Sequence, residues 1–259
     1  MKVLRNFIDT SFGQVHYRDI GSGIPIVLLH MTPGSSLIYQ ECLKELGVGG
    51  FHAIAMDTMG YGDSESIGEN RTIDDFADTV ISLIEILKLS EVILVGLSTG
   101  SIIAAAVAIN RPDLIKKLVL VEPGVFNTPD RQKKGYFGTR PDLDKDGNYL
   151  QKRWLQISKG FGGNLTLNQA HVLFLDALRS TEHQHEAYQA LIHYDLLNNL
   201  NKIHMPTMLM TGKLSNRTVP ISIFLDGIKH SIHREIPNAA NAPPLENPID
   251  FVENLIQWL

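Results

Sequence analysis

The run from Val92 to Ser101, VILVGLSTGS, constrains this chain more than any other feature. An apolar, β-branched stretch leads straight into Gly96-Leu97-Ser98-Thr99-Gly100, and the apolar segment SIIAAAVAI follows. The order is strand, sharp turn, helix, and it sets a serine on the turn. Small flanking residues suit such a strained turn, where neighbouring Cβ atoms would otherwise collide. The turn lifts the Ser98 hydroxyl above the sheet edge, and a helix starting near Thr99 aims free backbone N–H groups at developing negative charge. A chance Gly-Ser-Gly turn is the bland alternative, and the flanking strand and helix weigh against it.

Composition sets the class. A chain of 259 residues can bury roughly 70–75% of its unfolded surface in one α/β domain. Hydrophobic residues make up 44%, charged residues 20%, and net charge is −5. Nothing basic is concentrated enough to suggest nucleic acid or an anionic membrane as partner. The single cysteine, Cys42, excludes an internal disulfide and permits a reducing compartment. The opening segment MKVLRNFIDTSFGQVHYRDIG lacks the apolar core of a signal peptide, and no run approaches the ~18 residues of a membrane span. The expectation is a cytoplasmic globular protein whose partner is a small-molecule substrate, with its oligomeric state open, a homodimer included.

Strands and helices alternate along the chain. Gly13 to Arg18 alternates like one strand of an opening hairpin, and Ile24 to Leu29 is a near-continuous apolar run, as a strand covered on both faces requires. Tyr39 to Leu46 reads as a short helix and Phe51 to Met56 as a strand. Thr72 to Leu89 carries apolar residues at helical spacing, with Asp74 and Asp75 in its first turn. A helix to about Ile109 follows the serine turn, then strands at Leu118–Val121, Pro206–Thr211 and Ser231–Ile236, and a helix over Pro248–Leu259. Repeated strand–helix units predict a mostly parallel, doubly wound sheet.

Roughly eighty residues between Val121 and Pro206 hold no convincing strand. They include the polar patch Arg140 to Gly147 and helical stretches at Tyr149–Ile157, Leu167–Leu178 and Glu186–Leu200. A structureless loop of that length is improbable in a compact domain. The segment is expected to be a helical cap, 123–204, inserted after the sixth strand into a core made of 1–122 and 205–259. Such a cap excludes water and shapes a pocket.

Four stretches together resemble the α/β-hydrolase superfamily over nearly the whole chain. They are the turn GLSTGS, the segment Leu28 to Ser36 (LLHMTPGSS), the segment Met56 to Ser64 (MDTMGYGDS) and the segment Ile236 to Pro248 (IPNAANAPPLENP). The second is similar to the family's H-G-x-P-G-S-S loop and the third to its D-x-x-G-Y-G-x-S turn. The resemblance implies Ser98 as nucleophile, with the backbone amides of Thr32 and Thr99 as oxyanion donors. Met31 stands where the family usually has glycine in that loop. His30 resembles a histidine that supports the loop from below, and with Leu97 it is a candidate substrate contact. Asp57, Gly60 and Gly62 read as turn-forming residues.

The last stretch departs from the family. Asn241 occupies the place of the general base, and an asparagine amide does not titrate near neutral pH. Either the chain is a natural member whose chemistry is lost or changed, or it is a His→Asn variant of an active one. The family's usual acid after the strand Thr207–Thr211 is also missing, and Glu122, after the preceding strand, takes that place by resemblance. Glu122 could orient a histidine, orient Asn241, hold a water, or serve only as a turn carboxylate before Pro123. Among the cap histidines, His171, His183, His185 and His193, the last is the candidate substrate contact. His183 and His185 are two residues apart and face different ways on a helix, so no metal site and no cofactor is expected.

Two function classes follow. One is a serine hydrolase acting on an ester, thioester, lactone or activated C–C bond of a small apolar molecule, impaired by Asn241. The other keeps the same pocket for binding or for a rearrangement or lyase-type reaction.

Overall fold

The computed structural model of the protein describes residues 2–127, 143–160, 164–217 and 219–259. The chain opens with a hairpin of β1 (Leu4–Thr10) and β2 (Gly13–Ile20), paired antiparallel from Leu4↔Asp19 to Thr10↔Gly13. Then come β3 (Ile24–Leu29), α1 (Gln40–Val48), β4 (Phe51–Met56), α2 (Ile73–Ile86), β5 (Val92–Leu97), α3 (Thr99–Asn110) and β6 (Ile115–Val121). Three helices follow among the described residues: α4 (Asn148–Lys159), α5 (Leu167–Arg179) and α6 (Gln184–His193). The chain closes with β7 (Thr207–Gly212), α7 (Ile221–Gly227), β8 (Ser231–Ile236), α8 (Pro243–Glu246) and α9 (Pro248–Trp258).

The sheet has eight strands in the order β1-β2-β4-β3-β5-β6-β7-β8. Pairing is parallel from β4 through β3 to β8, and β2 joins β4 antiparallel. The mostly parallel, doubly wound architecture expected of the alternation is the one observed. All six residues of β5 are buried, which is why its sequence is apolar without a break. Successive side chains leave opposite faces. Leu94 joins one apolar cluster with α2 and α3, while Ile93 and Val95 join the other with α1 and α9.

Two helix boundaries differ from the sequence reading, for local reasons. α2 begins after Thr72, whose hydroxyl accepts the Asp75 N–H at 3.2 Å while the Asp75 carboxylate accepts the Thr72 N–H at 2.8 Å. This reciprocal cap fixes the start. The helix ends at Ile86, short of Leu89, because Lys88 adopts a positive φ of 53°. The stretch expected as one helix from Glu186 to Leu200 is broken at Tyr194, and a 3-10 turn spans Leu197–Lys202. The Asp195 carboxylate there holds the Asn198 amide at 2.5 Å, a local alternative to continuing the helix.

The inserted helices fall between β6 and β7, within the expected 123–204. Of the polar patch, Arg140, Pro141 and Asp142 lie outside the described residues, whereas Asp144 accepts the N–H groups of Asn148 and Tyr149 at the start of α4. No helix among the described residues is long and apolar enough to cross a membrane.

Candidate active site

Because β5, β6, β7 and β8 are adjacent and parallel, the turns that follow them share one edge of the sheet. Those turns carry Ser98, Glu122, the loop 213–217 and Asn241.

Ser98 sits between β5 and α3 at φ 51°, ψ −107°, a conformation that costs a non-glycine residue on the order of 1–3 kcal/mol. The flanking glycines have a steric cause. A Cβ on Gly96 would lie 2.1 Å from the Gly100 carbonyl oxygen, and one on Gly100 would lie 2.4 Å from that of Leu29. The turn is tied down by Ser98 N–H donating to Val121 O at 2.8 Å, and by Ser101 donating from its amide and hydroxyl to Ser98 O at 3.0 and 2.6 Å. The Ser98 side chain is half-buried, and its hydroxyl has no hydrogen-bond partner among the described residues. Thr99 is the first residue of α3, so its N–H has no intrahelical acceptor. Neither that amide nor the amide of Thr32 has an acceptor among the described residues.

The loop after β3 is braced from below and above. His30 is 1% exposed. Its Nε2 lies 3.0 Å from the Thr58 amide and must accept, so Nδ1 carries the proton and donates to Met31 O at 2.8 Å. Burial lowers the pKa of this ring, which suits the neutral tautomer. His30 therefore braces the loop from within, with both ring nitrogens engaged and the residue 1% exposed. The Met31 side chain is buried in the apolar cluster on the α1 face of the sheet, and it is the Met31 carbonyl that the histidine holds. From above, Tyr188 of α6 donates to Thr32 O at 2.8 Å and Ser35 donates to Asp176 of α5 at 2.7 Å.

Asp57 accepts the Ser36 amide at 2.6 Å, the Asp63 amide at 2.9 Å and His16 Nδ1 at 2.7 Å. Burial pushes its carboxyl up, but the His16 bond and the backbone amides outweigh it and hold the pKa down at about 2. A Cβ on Gly62 would lie 2.1 Å from that carboxylate. Asp57 and Gly62 are thus parts of one turn.

Glu122 follows β6 at φ 46° and is 9% exposed. Its Oε1 accepts the Gly212 amide at 2.6 Å and its Oε2 the Ser215 hydroxyl at 2.8 Å, while Arg217 Nε stands 3.9 Å away. Burial raises its pKa, and these donors pull it partly back. Asn241 lies next to the same group: Oδ1 is 3.1 Å from Ser215 Oγ, and Nδ2 donates to Asn216 Oδ1 at 2.8 Å. Ser215 has one proton to give, so Glu122 and Asn241 share its hydroxyl.

The sequence reading missed Glu246. Its carboxylate accepts the amides of Ala240 and, at 2.8 Å, of Ala242, gripping both sides of position 241. Its place five residues after Asn241, in a helical turn that folds back, was the available signal. Two other candidates are placed elsewhere. Leu97 is fully buried in an apolar cluster. His193 is exposed and lines a cleft of about 640 Å³ between the start of α2 and the end of α6, with Asn70, Arg71, Asp74 and Tyr194. That lining includes none of the residues at the strand ends. His16, Asp57 and Asp63 bring ligand atoms within 4.8 Å of one another, but Asp57 is already occupied by His16 and two amides.

Comparison with known proteins agrees with this architecture. The family model of the alpha/beta hydrolase fold matches residues 24–223. Among curated proteins, the (E)-2-((N-methylformamido)methylene)succinate hydrolase of Acinetobacter baylyi is 26% identical, covering 94% of this chain and 93% of that protein. A non-heme chloroperoxidase of Kitasatospora aureofaciens is 27% identical over 87% of this chain and 85% of its own. Among solved structures, an esterase from Exiguobacterium antarcticum superposes with a TM-score of 0.79 at 25% identity, covering 98% of this chain and 99% of that one. Hydrolases acting on different compounds are thus among its relatives, and with the serine turn, the eight-stranded sheet and the inserted helices in place, the chain belongs to the alpha/beta hydrolase fold family.

Proposed function

We propose that the chain is a cofactor-independent serine-type hydrolase that opens an ester, thioester, lactone or activated C–C bond of a small molecule, with acyl transfer slowed by asparagine at the general-base position. The observation that carries this reading is Ser98 held at a positive φ, its hydroxyl without a hydrogen-bond partner among the described residues, and followed in the chain by the Thr99 amide, which likewise has no acceptor among them. Ser98 Oγ attacks the acyl carbon, and the Thr32 and Thr99 N–H groups receive the oxygen as it becomes negative. The helices between β6 and β7 form the cap that covers this edge. Glu122 is the acid that would orient a histidine at 241. With Asn241 the serine proton has no titratable acceptor, so attack is slow.

The test is covalent capture. Prolonged exposure to a p-nitrophenyl phosphonate, followed by peptide mass mapping, is expected to find the adduct on Ser98 and none in Ser98→Ala. An adduct elsewhere, or a Ser98 that stays unmodified even in Asn241→His, refutes the nucleophile.

A second reading is a non-hydrolytic member that binds or rearranges its ligand. The engagement of both ends of the Asn241 amide by Ser215 and Asn216 favours it, because the asparagine fits its surroundings as a hydrogen-bonding residue.

A further inference from the structure

Arg217 is the one residue, among the described residues, whose entire charged head group is enclosed without a hydrogen-bond partner. Its Nε and both terminal nitrogens are shielded from solvent, and none makes a hydrogen bond. His16, Asp176 and His185, by contrast, each leave a single side-chain atom unpartnered. A guanidinium carries five N–H donors in a planar fork, and leaving all of them unmet in a desolvated place is costly.

Glu122 is the acid within ion-pair range of Arg217 among the described residues, but it does not satisfy the fork. Its Oε2 faces Arg217 through Nε at 3.9 Å, beyond hydrogen-bond reach. The two Glu122 oxygens each accept one bond, from Gly212 and Ser215, and neither stands within hydrogen-bond distance of the fork. Since Nε is the nitrogen closest to Glu122, the two terminal nitrogens of the fork lie farther from it. The other titratable neighbour is His233 of β8, which stands near enough to feel the guanidinium charge. Its Nε2 pairs with Thr211 Oγ at 2.8 Å, and a histidine supplies no bidentate anion in any case. Burial lowers the pKa of Arg217, with Glu122 opposing, yet a guanidinium stays charged at neutral pH.

The position matters as much as the vacancy. Arg217 lies in the segment that follows β7, and the same segment supplies Ser215 and Asn216 to Glu122 and Asn241. An anion held by the fork therefore lies at the same sheet edge as Ser98. Lys213, Leu214 and Asn216 of the same loop are exposed, so Arg217 lies next to solvent-facing chain.

We propose that Arg217 docks a carboxylate group carried by the substrate or its product, which replaces the small apolar molecule expected from the sequence with an acyl compound bearing a free carboxylate. This rests on that reading for the location of the reacting centre, but not for the binding itself. A planar carboxylate matches the guanidinium fork in two parallel hydrogen bonds, a match lysine cannot make.

The test measures binding without turnover. Thermal unfolding and titration calorimetry are run on the native protein, Ser98→Ala, Arg217→Gln and Arg217→Lys. The probes are sodium acetate and sodium succinate, with succinamide as the neutral isostere of succinate and sodium chloride at matched ionic strength. At saturating succinate the native protein and Ser98→Ala are expected to gain at least about 2 °C in Tm over the chloride control. Succinamide gives no gain. Arg217→Gln binds succinate at least about tenfold more weakly, and Arg217→Lys falls between because it keeps the charge without the fork. The unliganded Tm of Arg217→Gln equals or exceeds the native value, since an unmet buried charge is removed. If that variant fails to fold, the loss in Arg217→Lys carries the test. The proposal is overturned if neither carboxylate shifts Tm beyond chloride, or if Arg217→Gln binds succinate as well as the native protein does. It is also overturned if Arg217→Gln loses unliganded stability with no ligand-specific loss, which would make Arg217 only a counter-ion to Glu122. A failure of Ser98 chemistry leaves these results unchanged, so the two proposals fail separately.

Discussion

Ser35, in the loop after β3, donates its hydroxyl to Asp176 of α5 across 2.7 Å. One oxygen of Asp176, Oδ1, has no partner, and the residue is 1% exposed. The loop that carries the Thr32 amide is thus pinned to the inserted helices by a buried carboxyl.

That carboxyl makes stability depend on pH in a stated direction. Burial, with the nearby Asp57 charge, raises its pKa from 3.8 to about 6, against the opposing effects of Ser35, Arg179 and Arg18. The folded state holds the proton to higher pH than the unfolded state does. Its stabilising contribution is therefore full below pH 3.8 and is lost as pH rises through about 6. A shift of this size is worth about 2–3 kcal/mol. Asp176→Asn keeps an acceptor for Ser35 without the charge, so its Tm at pH 8 should exceed the native value by about 4–8 °C, with the gap closing toward pH 5. A gap that is constant between pH 5 and pH 8 would show that Asp176 does not titrate there.

Glu246 should matter through the backbone it holds. Glu246→Ala strips the acceptor from two amides flanking Asn241, at a cost of about 2–4 kcal/mol in urea unfolding. Glu246→Gln, which retains one acceptor oxygen, should lose less than half of that. Equal losses in the two variants would mean that packing, not the paired amides, sets the cost.

The serine turn tolerates no Cβ at its flanks. Gly96→Ala meets the Gly100 carbonyl at 2.1 Å, and a clash with backbone cannot be relieved by a rotamer change. Destabilisation of more than about 4 kcal/mol, or loss of soluble protein, is expected. An unchanged urea midpoint would contradict the observed turn.

How much of this was legible in the sequence depended on how local the cause was. The turn around Ser98 was readable because Gly96 and Gly100 answer to clashes within a few residues, and β5 because burial on both faces leaves an unbroken apolar run. The Ser35–Asp176 bond, 141 residues apart, and the contact between Glu122 and the loop after β7 leave no periodic trace. The surroundings of His193 and Leu97 were not legible for a related reason. A position within a helix or strand gives the direction of a side chain, but not what another segment lays over it.

In its present form the protein should hydrolyse simple esters slowly or not at all. General-base assistance is worth ~10²–10⁴-fold, and loss of one member of a cooperating set can cost more. Rapid turnover of p-nitrophenyl acetate that Ser98→Ala abolishes would mean that another base serves Ser98.

The most direct measurement is kcat/KM for p-nitrophenyl acetate in Asn241→His, alone and combined with Glu122→Ala. An imidazole at this position stands beside the Ser215 hydroxyl that Glu122 also holds, which offers the base an orienting carboxylate. The account predicts a rise of at least about tenfold in Asn241→His, abolished by Ser98→Ala and lowered again when Glu122→Ala is added. No gain in a folded Asn241→His protein would contradict it and leave the binding or rearrangement reading in its place.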